Sequence, residues 1–201
     1  MGPSDEDLVA VFQSGDFSAF DELVRRWEGK IQGAVYRIMG SEEDARDLSQ
    51  EAFLRAFRNL GRFKGEARFS SWLYQIALNL CRDRMRRKKG KSWVSWDELA
   101  ERGEGPVQAQ GPSAVELVEA SDRARWIAAA VASLSDDQRE VVVLKEYQGL
   151  TFQEIADTLG IPASTVKTRL YRALSELRTR LASPQSGEER GATIQGANHG
   201  V

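Results

Sequence analysis

Residues 152–174 read FQEIADTLGIPASTVKTRLYRAL, and this stretch decides the fold. Thr151-x-x-Glu154 at its entrance has the form of a capping box, so a helix opens there. Ala156 is small where two helices must approach closely. Gly160, four residues on, permits the positive φ of a tight turn. Pro162 stands at the start of a second helix, and Val166 sits where that helix packs back on the first. With Ile155, Leu159 and Leu170 as core, the pattern is a helix-turn-helix. Such a motif lays its second helix in the major groove of DNA, N-terminal residues toward the base edges. On that helix Lys167, Thr168, Tyr171 and Arg172 fall at i, i+1, i+4 and i+5, one continuous face. Lys and Arg can donate to guanine O6 and N7, and Thr to several bases. Ser164, Thr165 and Arg169 are better placed for phosphates. The blander alternative is a helical hairpin with a solvated basic face. The coincidence of small-residue spacing, turn and basic face argues against it.

Working outward, the rest also reads as helix, and the fold class is all-α. In 17–39, Phe20, Leu23, Val24, Trp27, Ile31, Ala34, Val35 and Ile38 recur with helical period. Ser41-Glu42-Glu43-Asp44 resembles a capping box and should open a helix to about Leu60. Ser70 can cap a third helix that runs into a basic stretch. After it, 122–133 reads as a short Ala-rich helix, and Ser135-x-x-Gln138 as another capping box. No segment alternates like a strand.

Two faces in the N-terminal half carry possible chemistry. On the third helix Leu73, Ile76, Ala77 and Leu80 should be core, while Trp72, Gln75, Asn79, Arg82 and Arg86 form a second stripe. Phe63, Phe69 and Trp72 surround the Gly61–Gly65 loop ahead of it. Aromatics beside amides and Arg suit unstacked bases, because stacking is worth roughly 1–3 kcal/mol per base and Arg neutralises phosphate. Trp72 or Phe69 taken alone would be core. On the second helix Asp47, Gln50 and Glu51 share one face over a core of Ala45, Leu48, Ala52, Phe53, Ala56 and Leu60. By spacing alone that face is solvated, with a Glu51–Arg55 pair one turn apart; an acidic face with a binding role must meet a protein.

Charge is distributed unevenly over the 201 residues. The whole chain carries 28 Lys+Arg against 30 Asp+Glu, net −2. Residues 82–91 (RDRMRRKKGK) hold seven basic side chains and one acidic, net +6, and 163–181 hold five basic and one acidic, net +4. Two basic patches on an acidic chain imply two contacts with a polyanion. Residues 90–121, with Gly90, Gly103, Gly105, Pro106, Gly111 and Pro112, read as a flexible linker whose acids would repel phosphate. Residues 183–201 are polar and Gly-rich and read as a disordered tail. The expected division is therefore 5–90, a linker over 91–121, a second domain over 122–182, and the tail.

Composition excludes several classes. The lone Cys81 makes no internal disulfide or thiolate metal site and reads as a small buried apolar residue. A single histidine, His199 in the tail, leaves no zinc cluster or Ser-His-Asp triad. No apolar run approaches the roughly 20 residues that cross a bilayer. The acidic start (Met1-Gly2-Pro3-Ser4-Asp5-Glu6-Asp7) is unlike a signal peptide. No cofactor, metal or membrane insertion is expected, and the location expected is the cytoplasm.

These motifs together resemble the bacterial extracytoplasmic-function (ECF) sigma factors of the sigma-70 family, over about 5–90 and 122–181. DLSQEAFLRAFR resembles the region 2.2 motif that binds the clamp helices of the RNA polymerase β′ subunit. The resemblance implies that role for Asp47, Gln50 and Glu51, against the solvated reading from spacing. FKGEARFSSWLYQIALNLCRDRMRR resembles regions 2.3 and 2.4. There the loop around Phe63 and the helix bearing Asn79 take up a flipped-out base of the −10 element; Trp72, Arg82 and Arg86 join them here. GLTFQEIADTLGIPASTVKTRLYRAL resembles region 4.2, which reads the −35 element. The resemblance also implies an anti-sigma factor, and core polymerase (β′ clamp helices and β flap) with promoter DNA as partners. It implies a promoter-recognition factor and no enzyme. The tail extends beyond the family's usual end. The competing reading is a helix-turn-helix regulator that binds DNA without polymerase, which leaves the 42–90 constellation unused. A helical enzyme, without a His cluster, Cys pair or phosphate loop, has little support.

Overall fold

The computed structural model describes residues 2–93 and 122–182. The expected tail lies outside these residues, as does the expected linker except 91–93. Helix α1 (Asp5–Gln13) is followed by α2 (Ala19–Met39), α3 (Glu42–Leu60) and α4 (Phe69–Trp93). After the linker come α5 (Asp122–Ala132), α6 (Asp136–Val142), a π-helical turn (Val143–Tyr147), α7 (Phe152–Leu159) and α8 (Ala163–Ala182). No strand occurs among the described residues.

The local chemistry explains most of these boundaries. Ser135 and Thr151 accept from the backbone N–H three residues on, while Gln138 and Glu154 reach back to the cap, closing both expected capping boxes. At Ser41 only half the motif forms: its hydroxyl accepts from the Asp44 N–H. The third expected helix starts one residue before its expected cap. Phe69 is already helical, and the Arg68 carbonyl, not the Ser70 side chain, opens the turn by accepting from Trp72 N–H. The same helix runs to Trp93, three residues into the expected linker. Helix α1 was not expected at all. Ser4 and Asp7 cap it reciprocally, and it buries Leu8, Val9 and Phe12.

Helix α2 is the centre of the first unit. It packs on α1, α3 and α4, burying Leu23, Ile31, Val35 and Ile38 against Ala52, Ala56 and Leu60 of α3 and Phe69, Leu73 and Leu78 of α4. In the second unit, Val141, Leu144, Ile155, Val166, Leu170 and Ala173 form the interior. Truncating Leu144, Ile155 or Leu170 to Ala would cost about 2–5 kcal/mol.

The two units pack directly on each other. Arg139 donates to the Ile38 carbonyl at the end of α2 (2.9 Å). Its other terminal guanidinium nitrogen serves the carbonyls of Ala132, the last residue of α5, and of Leu134 beyond it. Tyr74 donates its hydroxyl to Gln148 (2.8 Å). The Arg37 guanidinium lies 4.3 Å from the Tyr147 ring centre, and Arg68 pairs with Glu154 (2.6 Å).

Candidate functional site

The helix-turn-helix is formed by α7 and α8. Ala156 and Val166 are buried at the crossing, as are Ile155, Leu159 and Leu170. Gly160 ends α7 at φ 67°, the left-handed conformation that the turn requires. The Pro162 carbonyl then accepts from the N–H groups of Thr165 and Val166, opening α8. Lys167, Thr168, Tyr171 and Arg172 all face solvent, and Tyr171 is 64% exposed although large and apolar. The Thr168 hydroxyl donates back to the Ser164 carbonyl (2.9 Å), and the Lys167 ammonium lies 5.5 Å from the Phe152 ring centre. Ser164 is exposed and Thr165 half-buried. Arg169 differs from the others: it is half-buried and ion-paired with Asp137 of α6 (2.6 Å).

The stripe on α4 is assembled as the spacing predicts, but its two ends differ. Leu73, Ala77 and Leu80 are buried, while Ile76 packs against the core only in part. Phe63 and Trp72 stack on each other at 4.9 Å between ring centres, both half-buried. Phe69, read as a neighbour of the loop, is wholly buried core. The loop is held from α1: the Gln13 amide donates to the carbonyls of Leu60 (3.0 Å) and Phe63 (2.8 Å). Gln75 is half-buried and Asn79 exposed. Arg82 donates to the Asn79 side-chain carbonyl (3.2 Å) and makes a two-pronged pair with Glu140 of α6 (2.8 and 2.6 Å). Burial pushes the Glu140 carboxyl above its ordinary range, and Arg82 opposes the shift; the hydrogen bond from Arg82 to this carboxylate raises Arg82 further.

The basic segment is less free than its charge suggests. Arg84 and Lys88 both hold the buried Asp44 (2.5 and 2.6 Å), and exposed Arg86 pairs with Asp83. With Arg82 on Glu140, four of its cations have carboxylate partners. Asp44, read from the sequence only as part of a capping box, and Asp137 and Glu140, not read there as partners, take Arg84, Arg169 and Arg82. They lie 40, 32 and 58 residues from Arg84, Arg169 and Arg82, beyond any local spacing rule.

On α3, Asp47 and Gln50 are exposed and Glu51 half-exposed on the side away from the core. Glu51 accepts from Arg55 at 2.8 Å, the pair expected from spacing. The face continues into exposed Leu54 and Phe57. Among the described residues no group of His, Cys, Asp and Glu could hold a metal ion.

The sequence matches the family models for Sigma-70 region 2 over residues 23–91 and for Sigma-70, region 4 over residues 124–177. It is 36% identical over 172 residues to the ECF RNA polymerase sigma factor SigW of Bacillus subtilis, covering 84% of this chain and 92% of that one. The chain belongs to the ECF sigma factors. The RNA polymerase sigma-H factor of Pseudomonas aeruginosa is 34% identical (84% of this chain, 89% of that one). The ECF RNA polymerase sigma-E factor of Escherichia coli K12 is 32% identical (85% and 90%). Among solved structures, CnrH in complex with the cytosolic domain of CnrY aligns with a TM-score of 0.67 at 28% identity, over 89% of this chain and 97% of that one. The sigma factor RpoE of Bartonella quintana, solved with the anti-sigma factor NepR, shares the fold (TM-score 0.66, 23% identity, 81% and 96% covered). This sigma factor therefore directs transcription initiation and is not an enzyme. The regulator acting without polymerase drops out, since region 2 accounts for the 42–90 constellation.

Proposed function

We propose that residues 5–90 and 122–182 work as two promoter-facing units joined by 91–121, with 183–201 as an appended tail. Asp47, Gln50 and Glu51 dock on the β′ clamp helices of core RNA polymerase, and the second unit meets the β flap. Lys167, Thr168, Tyr171 and Arg172 read the −35 duplex, while Ser164, Thr165 and Arg169 set its register on phosphate. Phe63, Trp72 and Asn79 receive an extruded −10 base, an extrusion that costs a few kcal/mol, and Arg82 and Arg86 face the strand's phosphates. Tethering two modest sites raises the effective concentration of each for the other. An anti-sigma factor is a further partner, and the site of action is the cytoplasm; no described helix is long and apolar enough to cross a membrane.

The observation that supports this reading best is the exposed face of α8. Four side chains able to meet base edges stand together on the second helix of a helix-turn-helix. Holoenzyme assembly followed by run-off transcription on randomised promoter templates tests it. Transcripts from templates sharing two spaced elements are expected. A chain that elutes apart from core polymerase on gel filtration would remove the reading, and Glu51→Lys should produce that behaviour.

A further inference from the structure

We propose that α6 stands in for DNA phosphate and holds the free sigma factor closed. The inference rests on the promoter roles proposed for Arg82, Asn79 and Arg169. Helix α6 has seven residues, and two of its acids take one cation from each promoter-facing set. Glu140 binds Arg82 of the −10 stripe with both carboxylate oxygens. Asp137 binds Arg169 of the −35 helix at 2.6 Å. The two-pronged Arg82–Glu140 pair uses the same donor geometry that holds a phosphate, and the single Arg169–Asp137 contact inside the second unit occupies its cation too, so each competes with DNA for its arginine.

The first pair also covers a surface. Glu140 is 1% exposed while Arg82 keeps 34% exposure, so water reaches the cation and is excluded from the acid. Asn79, Arg82 and Arg86 on one wall face Asp136, Asp137 and Glu140 on the other, across a groove of about 560 Å³. A DNA strand approaching Asn79 therefore meets Asp136 and Asp137 on the facing wall and Asp83, the partner of Arg86, on its own. The Tyr74–Gln148 hydrogen bond, the Arg37–Tyr147 stack and Arg139 on the Ile38 carbonyl hold the same two units together away from any DNA-facing residue. Opening must break all of them, and binding to polymerase, which draws the units to separate sites, is the event that supplies the energy.

The test uses the full free chain, a labelled single-stranded oligodeoxynucleotide of randomised sequence at low salt, and small-angle X-ray scattering. Glu140→Gln keeps the shape and removes the charge. Gln148→Ala releases the interface from its other side without touching a DNA-facing residue. Glu146→Gln, an exposed acid on the same unit, corrects for the loss of one negative charge. Both opening variants should show a larger radius of gyration than the parent. Glu140→Gln should bind the oligonucleotide about tenfold more tightly, the scale of one charge-assisted hydrogen-bonded pair, and Gln148→Ala about fivefold, the scale of one neutral hydrogen bond; Glu146→Gln should do neither. A gain no greater than that of Glu146→Gln, or an unchanged radius in both variants, overturns the proposal. Adding Asn79→Ala to Glu140→Gln separates the two layers of the argument. Loss of the gain supports both. A gain that persists with the expanded radius supports the closed latch and counts against the role given to Asn79.

Discussion

Asp44, in the first turn of α3, lies buried against Arg84 in the middle of α4, Oδ1 to Nη1 at 2.5 Å, and its second oxygen takes Lys88. A single acid thus fixes the rotation of the basic helix about its own axis. It consumes two cations, and Arg86 and Arg87 are left on the exposed side. Asp44→Ala should destabilise the protein by about 1–3 kcal/mol, as removing the acceptor of charge-assisted hydrogen bonds does when the cations left behind still reach water. Urea unfolding followed by circular dichroism measures this, and a loss under 1 kcal/mol would mean the pair is effectively solvated.

Gly160 offers a test of the turn that is free of packing. A Cβ added there meets nothing within 4 Å, so only the backbone conformation at φ +67° resists a side chain. Gly160→Ala should cost about 1–2 kcal/mol, read as a lower denaturation midpoint. Gly160→Asn should cost less, because Asn tolerates the left-handed region.

Arg172 is exposed on the reading face. Arg172→Ala in the holoenzyme should lose about 1–3 kcal/mol of −35 binding and relax the preference at one position. Equal losses on every −35 sequence would place it on phosphate instead.

Asn79→Ala is expected to leave −35 duplex binding intact and to reduce open-complex formation. Permanganate footprinting of the melted strand distinguishes the two steps, and footprints equal to the parent's would count against a base-holding role.

Cys81 is buried, and burial, reinforced by the negative charges of Glu140 and Asp44, pushes its thiol up to about 12. It should react with a thiol reagent at pH 8 about a thousandfold more slowly than an ordinary cysteine. Because the folded value is raised, the contribution to stability is full below the ordinary value of about 8.5. It is lost as the pH rises toward 12. Rapid labelling of the native chain at pH 8 would show that α4 opens locally.

The helix-turn-helix and α3 were legible because their signals are local. Gly160, Ala156, Val166 and the capping residues Ser41, Ser135 and Thr151 act within a few positions of themselves. Helix α1 also carries a local signal, since its acidic first turn favours a helix N-terminus. Ser4-x-x-Asp7 ahead of Leu8, Val9 and Phe12 was the available signal, with Asp serving where Glu or Gln is usual. The destinations of the basic side chains were not legible. RDRMRRKK announces charge, but whether Arg82 meets DNA or Glu140 depends on a contact 58 residues away, which no period or spacing encodes. The likeness to ECF sigma factors supplied candidate roles for Asp47, Gln50 and Glu51 that their spacing alone argued against.

The π-helical turn at Val143–Tyr147 sets the phase of everything that follows it. The Gln148 N–H reaches back five residues to the Val143 carbonyl, so one residue more than an α-helix needs is accommodated there. Deleting one residue would restore the ordinary pitch and swing Tyr147 and Gln148 by about 100° around the axis, off Arg37 and Tyr74. The surplus residue works as a keyway: it aligns this helix with its neighbouring unit while leaving α7 and α8 free to keep their own geometry.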